Sequence, residues 1–103
     1  MKDNNIIRDK SYAFAIRIVK LFKYLCEEKK EFTLSKQMLK AGTSIGANTE
    51  EAIGGQSKND FFAKLTIAYK EARETHYWLR LLKDTDYLTE QEFNSIITDA
   101  MNY

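Results

Sequence analysis

The sequence predicts an all-α protein, an antiparallel up-and-down four-helix bundle, and three observations carry that expectation. Proline is absent and the four glycines all fall between Gly42 and Gly55, so little elsewhere interrupts a helix. Hydrophobic residues make up 44% of the chain and charged residues 30%, a balance suited to helices with one buried and one solvated side. Apolar residues recur at steps of three and four in four segments joined by short polar connections, and short connections make neighbouring helices antiparallel. At 103 residues the chain is one domain, able to bury roughly 60–70% of its extended surface.

The first helix is expected from about Arg8 to Glu28. One apolar stripe is Ala15, Val19, Phe22 and Cys26; a second is Phe14, Ile18, Leu21 and Leu25. Together they exceed the single seam that an exposed bundle helix needs, a hint of self-association. The segment "EEKKEFTLS" turns the chain, with Ser35 expected as N-cap of a second helix that ends at Gly54-Gly55. Ser57 and Asp60 read as a capping box for the third helix, which extends to about Lys83. Its spacing of Phe61, Leu65, Ala68, Ala72, Thr75, Leu79 and Leu82 is that of a helix packed along its length. Thr89 and Glu92 box the start of a fourth helix over 90–101, with Phe93, Ile96, Ile97 and Ala100 facing inward. This last helix has about half the length of the third, and "AMNY" supplies no C-cap. Either the pattern continues past it or one end of the groove stays open.

One stretch departs from this regularity. In "KAGTSIGANTEEA", Lys40 to Ala52, the side chains shrink to Gly42, Thr43, Ser44, Gly46 and Ala47 around a single large residue, Ile45. A phosphate loop would need Lys-Ser/Thr after its second glycine and a preceding strand, and "GTSIGAN" has neither. Gly42-x-x-x-Gly46 has the spacing of a membrane-helix contact, yet Lys40, Glu50 and Glu51 lie too close for a span. Close packing of helices in a bundle remains. Two interior glycines cost roughly 1 kcal/mol each relative to alanine, which a contact that needs the space can offset.

These residues carry a resemblance. "LSKQMLKAGTSIGANTEEA" followed by "SKNDFFAKLTIAYKEARETHYWLRLL" resembles the four-helix-bundle family of 23S ribosomal RNA intervening sequences. That family is itself related to the accessory protein of diversity-generating retroelements. The family's S-I-x-x-N-x-x-E core falls on Ser44, Ile45, Asn48 and Glu51. Its K-E-A-x-E-x-x-Y-W-L run falls on Lys70, Glu71, Ala72, Glu74, Tyr77, Trp78 and Leu79. The resemblance implies a ring-shaped homo-oligomer, a pentamer by preference, with a basic surface suited to RNA or DNA. The related accessory protein works beside a reverse transcriptase, so the resemblance makes such an enzyme a candidate protein partner. The short fourth helix departs from the family pattern.

The residues themselves support no catalytic constellation. His76 is the single histidine, and Arg73 stands where a Glu-x-x-His di-iron motif needs its glutamate. No zinc motif exists and no cofactor is expected. A Cys26–His76 catalytic pair would require the fold to bring them together. Cys26, the single cysteine, reads as a buried free thiol. With no membrane-span run and no signal-peptide core, the expected location is the cytoplasm.

Net charge is only +1, but from Arg8 to Lys40 the balance is +5 and from Ala41 to Tyr103 it is −4. Arg17, Lys20 and Lys23 share the polar sector of the first helix, and Lys10 extends it, which makes them the candidate anion contacts. Gly42, Ser44, Ile45, Gly46, Asn48, Glu51, Tyr77 and Trp78 are read as helix-packing or subunit-contact residues. Within that set, Glu51 is expected to pair with a lysine or arginine and Asn48 to bond a nearby backbone group. Trp78, Tyr69, Tyr77 and Phe62 could stack on bases, although subunit contact is the plainer use of aromatics at helical spacing. Lys70, Glu71, Arg73 and Glu74 are expected to form surface ion pairs. The function these features favour is a non-enzymatic nucleic-acid-binding or scaffold protein. The alternative is an oligomeric module that recruits a protein partner without touching nucleic acid.

Overall fold

The computed structural model describes residues 2–101. Among them are four helices, α1 (Lys2–Glu27), α2 (Leu34–Ile53), α3 (Lys58–Asp84) and α4 (Glu90–Met101), and no strand. Helix α1 begins six residues earlier than its apolar pattern requires; the other boundaries fall within one residue of those expected. The expected lack of a C-cap at the end of α4 concerns residues outside those described.

Each helix packs on its neighbours in sequence, α1 on α2, α2 on α3, α3 on α4, and a thin seam joins α4 back to α1. Among the described residues the Cα atoms of the diagonal pairs stay more than 8 Å apart, and those helices face each other through side chains of the core. Neighbours are antiparallel, as paired positions show: Ile18 meets Gly42 while Ser11 meets Gly46, and Arg17 reaches Ser95 and Asp99. The bundle is elongated, 43 × 22 × 19 Å. Helix α3, with 27 residues, is about 40 Å long and α4, with 12, about 18 Å. Among the described residues, one end of the bundle is built from α1, α2 and α3.

The core is the inner stripe of α1 (Phe14, Ile18, Leu25) against Met38 and Ile45 of α2, Leu79 and Leu82 of α3, and Phe93, Ile96 and Ile97 of α4. The other α1 stripe is only partly covered: Phe22, Ala15 and Cys26 are half-buried and Val19 is exposed. Cys26 is thus not the fully buried thiol expected; its Sγ lies 3.9 Å from the Ser35 hydroxyl.

Helix starts are set by three different devices. At α4 the Thr89–Glu92 box is complete, Thr89 N–H donating to Oε1 of Glu92 and Glu92 N–H to Oγ1 of Thr89. At α3 only half of the expected box forms, with Asp60 N–H donating to the Ser57 hydroxyl. At α2 the expectation for Ser35 is corrected. Thr33 occupies the N-cap without a side-chain bond, and the carboxylate of Glu31 accepts from the N–H groups of Thr33, Leu34 and Ser35 at 2.8–3.0 Å. Ser35 instead donates its hydroxyl to the Glu31 carbonyl. A carboxylate with two oxygens satisfies three donors that one hydroxyl could not, and its charge sits favourably at the positive end of the helix. Left-handed backbone occurs at Lys30 (φ 54°) and Asp86 (φ 71°), not at any glycine.

Candidate nucleic-acid interface

The small-residue stretch lies in the middle of α2, so it is not a loop. A Cβ at Gly42 would stand 2.8–3.0 Å from three side-chain carbons of Ile18, and one at Gly46 would stand 3.3 Å from the Ser11 carbonyl oxygen. These glycines let α1 approach α2 closely, inside the bundle. Polar residues of the stretch turn back on their own helix: Thr43, Ser44, Asn48 and Thr49 donate to carbonyls four residues earlier. That satisfies them locally and keeps them from bonding across the contact. Glu51 pairs with Lys64 of α3 at 2.9 Å. Ile45 is fully in the core.

Arg17 holds α4 and is not presented freely to solvent. Its guanidinium donates to the Ser95 carbonyl (3.1 Å), the Ser95 hydroxyl (2.9 Å) and the Asp99 carboxylate, clamping the thin α1–α4 seam. Below the clamp, a groove of about 460 Å³ runs between Lys20, Leu21 and Tyr24 of α1 and Gln91, Glu92 and Ile96 of α4. The wheel position of Arg17 could not disclose this role, because which flank of α1 meets α4 is decided by packing. Its sequence signal was Ser95 and Asp99, a polar pair four apart on α4.

Lys10, Lys20 and Lys23 are exposed and make no ion pair among the described residues. Lys20 and Lys23 are about one helical step apart; Lys10 lies about 15 Å further along and roughly 80° round the axis from Lys20. The cations thus form a broad field with no fixed geometry, which suits attraction to phosphate more than recognition of one base. Tyr12, Ile16 and Val19 are exposed on the Lys23 flank of α1, at least roughly 120° round the axis from Lys10.

On α3, the expected ion pairs among Lys70, Glu71, Arg73 and Glu74 do not form. Glu74 accepts from the indole N–H of Trp78 at 3.2 Å. Burial, helped by the charge of Glu74 and opposed by Lys40, raises the pKa of Glu71. Trp78 is half-buried beside the core, whereas Phe62, Tyr69 and Tyr77 are exposed. Cys26 and His76 stand on the diagonal helices α1 and α3, and the Cys26 thiol faces the Ser35 hydroxyl with no hydrogen bond to His76, so the two form no catalytic pair. Among the described residues no cluster of His, Cys, Asp or Glu is placed to hold a metal ion, and no helix is long and apolar enough to cross a membrane.

An antiparallel four-helix bundle, clamped by internal polar contacts and carrying unpaired cations outside, defines the class of protein. Within that class, the profile of the 23S rRNA-intervening sequence protein family matches residues 3–102, and the chain belongs to that family. A solved structure is similar over 99% of this chain and 90% of its own, at 54% identity and a TM-score of 0.95. It is described as a protein with unknown function from the S23 ribosomal protein family of Bacteroides thetaiotaomicron VPI-5482. No curated protein matches the chain.

Proposed function

We propose that this protein is a non-enzymatic nucleic-acid-binding scaffold that acts as a ring-shaped homo-oligomer, a pentamer by preference. Lys10, Lys20 and Lys23 contact phosphate, while Arg17 supports them indirectly by holding α4 against α1. The observation that carries this reading is the set of three exposed lysines on α1 with no ion pair among the described residues, in a chain of the 23S rRNA-intervening sequence protein family. Self-association draws on Tyr12, Ile16 and Val19, apolar side chains left uncovered by the bundle. A ring repeats the lysine field in every subunit, so a modest patch becomes a strong, salt-sensitive one.

The test is binding to a structured RNA and to duplex DNA across a salt series, comparing the native chain with Lys10→Glu/Lys20→Glu/Lys23→Glu. Arg17 is left intact, because reversing it would break the α4 clamp and confound the result. The native protein should bind with a steep salt slope, each phosphate-bound lysine contributing about 0.9 to it on duplex DNA. The variant should lose binding at unchanged mass by light scattering. Absence of binding at low salt, or equal binding by the variant, overturns the reading. In that case the uncovered apolar face of α1 becomes the guide to a protein partner such as a reverse transcriptase.

A further inference from the structure

A second face of the bundle has the composition of a surface on which bases stack. At roughly 100° per residue, Phe62, Thr66, Tyr69, Arg73, Tyr77 and Arg80 fall within about 80° of one side of α3. Phe62 is 62% exposed, Tyr69 60% and Tyr77 49%, and Arg73 and Arg80 are exposed with no carboxylate partner among the described residues. Asp60, Glu71 and Glu74 point at least about 100° away from the centre of this stripe. Asp84 lies beyond its end, 3.9 Å from Lys83. From Phe62 to Arg80 every charge on the stripe is therefore positive, and every large apolar side chain is aromatic. The exposed apolar residues of α1, by contrast, include the aliphatic Ile16 and Val19.

Two of the rings are braced. Phe62 stands edge-on to the half-buried Phe61, centroids 5.6 Å apart. Tyr77 stands edge-on to Trp78 at 5.0 Å, and Trp78 is held by Glu74. Arg80 lies over the Tyr77 ring, 5.9 Å from its centroid. A braced ring has less freedom to lose when a base stacks on it, and an arginine beside it adds both a stacking plane and attraction for phosphate.

We propose that this stripe of α3 binds single-stranded nucleic acid, Phe62, Tyr69 and Tyr77 stacking on unpaired bases while Arg73 and Arg80 contact the backbone. The rings are spaced about 10 and 12 Å along the axis, which accommodates on the order of four to seven nucleotides. All bases have a π-face, so the site is tolerant of sequence. A duplex, whose bases are already stacked on one another, does not use it. The site stands on the helix diagonal to α1 and does not depend on the α1 lysines.

The experiment compares a single-stranded oligouridylate of about 12 nucleotides with a duplex of equal length, using the native chain and Phe62→Leu/Tyr69→Leu/Tyr77→Leu. Leucine keeps the surface apolar and the helix intact but removes the flat ring. Helix content and mass by light scattering are measured on both. The single strand should be bound roughly tenfold more weakly for each ring lost, with duplex binding unchanged. Irradiating a bromouridine-substituted strand should crosslink it to Tyr69 or Tyr77, read by mass spectrometry. Equal single-strand affinity of the two proteins, or crosslinks confined to α1, overturns the proposal. A fall in mass for the leucine variant overturns it as well, since the stripe is then a contact between copies of the chain. Loss of duplex binding in the lysine variant, with the single-strand arm intact, bears on α1 alone.

Discussion

Replacing Gly42 with alanine sets two effects of known sign against each other. Alanine is the better helix former by about 1 kcal/mol in a helix interior, so intrinsic propensity alone predicts a more stable protein. The new methyl, however, would lie 2.8, 2.9 and 3.0 Å from three carbons of Ile18, where carbon–carbon contacts are best at about 3.5–4.0 Å. Ile18 cannot yield easily: it is 0% exposed and, being β-branched, stiff at χ1. Either Ile18 leaves its rotamer or α1 moves away from α2, at an overpacking cost of about 1–3 kcal/mol. The net expectation is a loss of about 1 kcal/mol, and for a domain of this size each kcal/mol lowers Tm by about 4–8 °C. Thermal melts followed by circular dichroism, at matched protomer concentration because assembly shifts Tm, provide the assay. Gly46→Ala is the internal comparison, since its methyl would meet a single carbonyl oxygen at 3.3 Å and should cost less. In Gly42→Ala/Ile18→Ala the two changes should cost less together than the sum of their separate effects, because the methyl enters space that isoleucine vacated. A Tm that rises in Gly42→Ala would refute the close-packing account.

Three further outcomes are expected. Glu31→Ala removes the acceptor of three N–H groups at the start of α2 and should destabilise the protein by about 1–3 kcal/mol in urea unfolding; an effect within a few tenths of a kcal/mol contradicts the cap. Arg17→Met should speed amide exchange throughout α4 while α2 and α3 stay protected, and a double-mutant cycle with Asp99→Ala should show coupling of about 0.5–1 kcal/mol, the modest value proper to a half-exposed pair. Glu71 carries a folded-state pKa raised above its ordinary 4.5, first by burial and then by Glu74. Ionised Glu71 therefore weakens the fold above that raised pKa, and the penalty fades as pH falls through it toward the unfolded value. Glu71→Gln should accordingly melt higher than the native chain at pH 7, with the gap closing in acid; a gap that widens in acid would reverse the assignment.

What the sequence determined by itself was local or periodic. The four helices, their order and the inward faces of α3 and α4 follow from the three-and-four spacing and the absence of proline, because a helix must bury its apolar side whatever its neighbours are. The Thr89–Glu92 box is legible for the same reason: both partners lie within one turn. The small residues at Gly42 and Gly46 announced a close approach but not its partner. Only the tertiary structure named Ile18 and Ser11 and so placed the contact within the bundle.

It also decided which exposed cations are free. Arg17 and Lys20 look alike on the helical wheel, yet α4 covers one flank of α1, and Arg17 is taken by Ser95 and Asp99 while Lys20 is left unpaired. Glu31 likewise gave no periodic signal, its capping role depending on how the turn at Lys30 folds back. The basic–aromatic side of α3 was written in the sequence throughout, but its meaning depended on which rings the core absorbed. Trp78 is tucked beside the core and Phe62, Tyr69 and Tyr77 are left in solvent, because α2 and the short α4 together cover only part of a helix about 40 Å long.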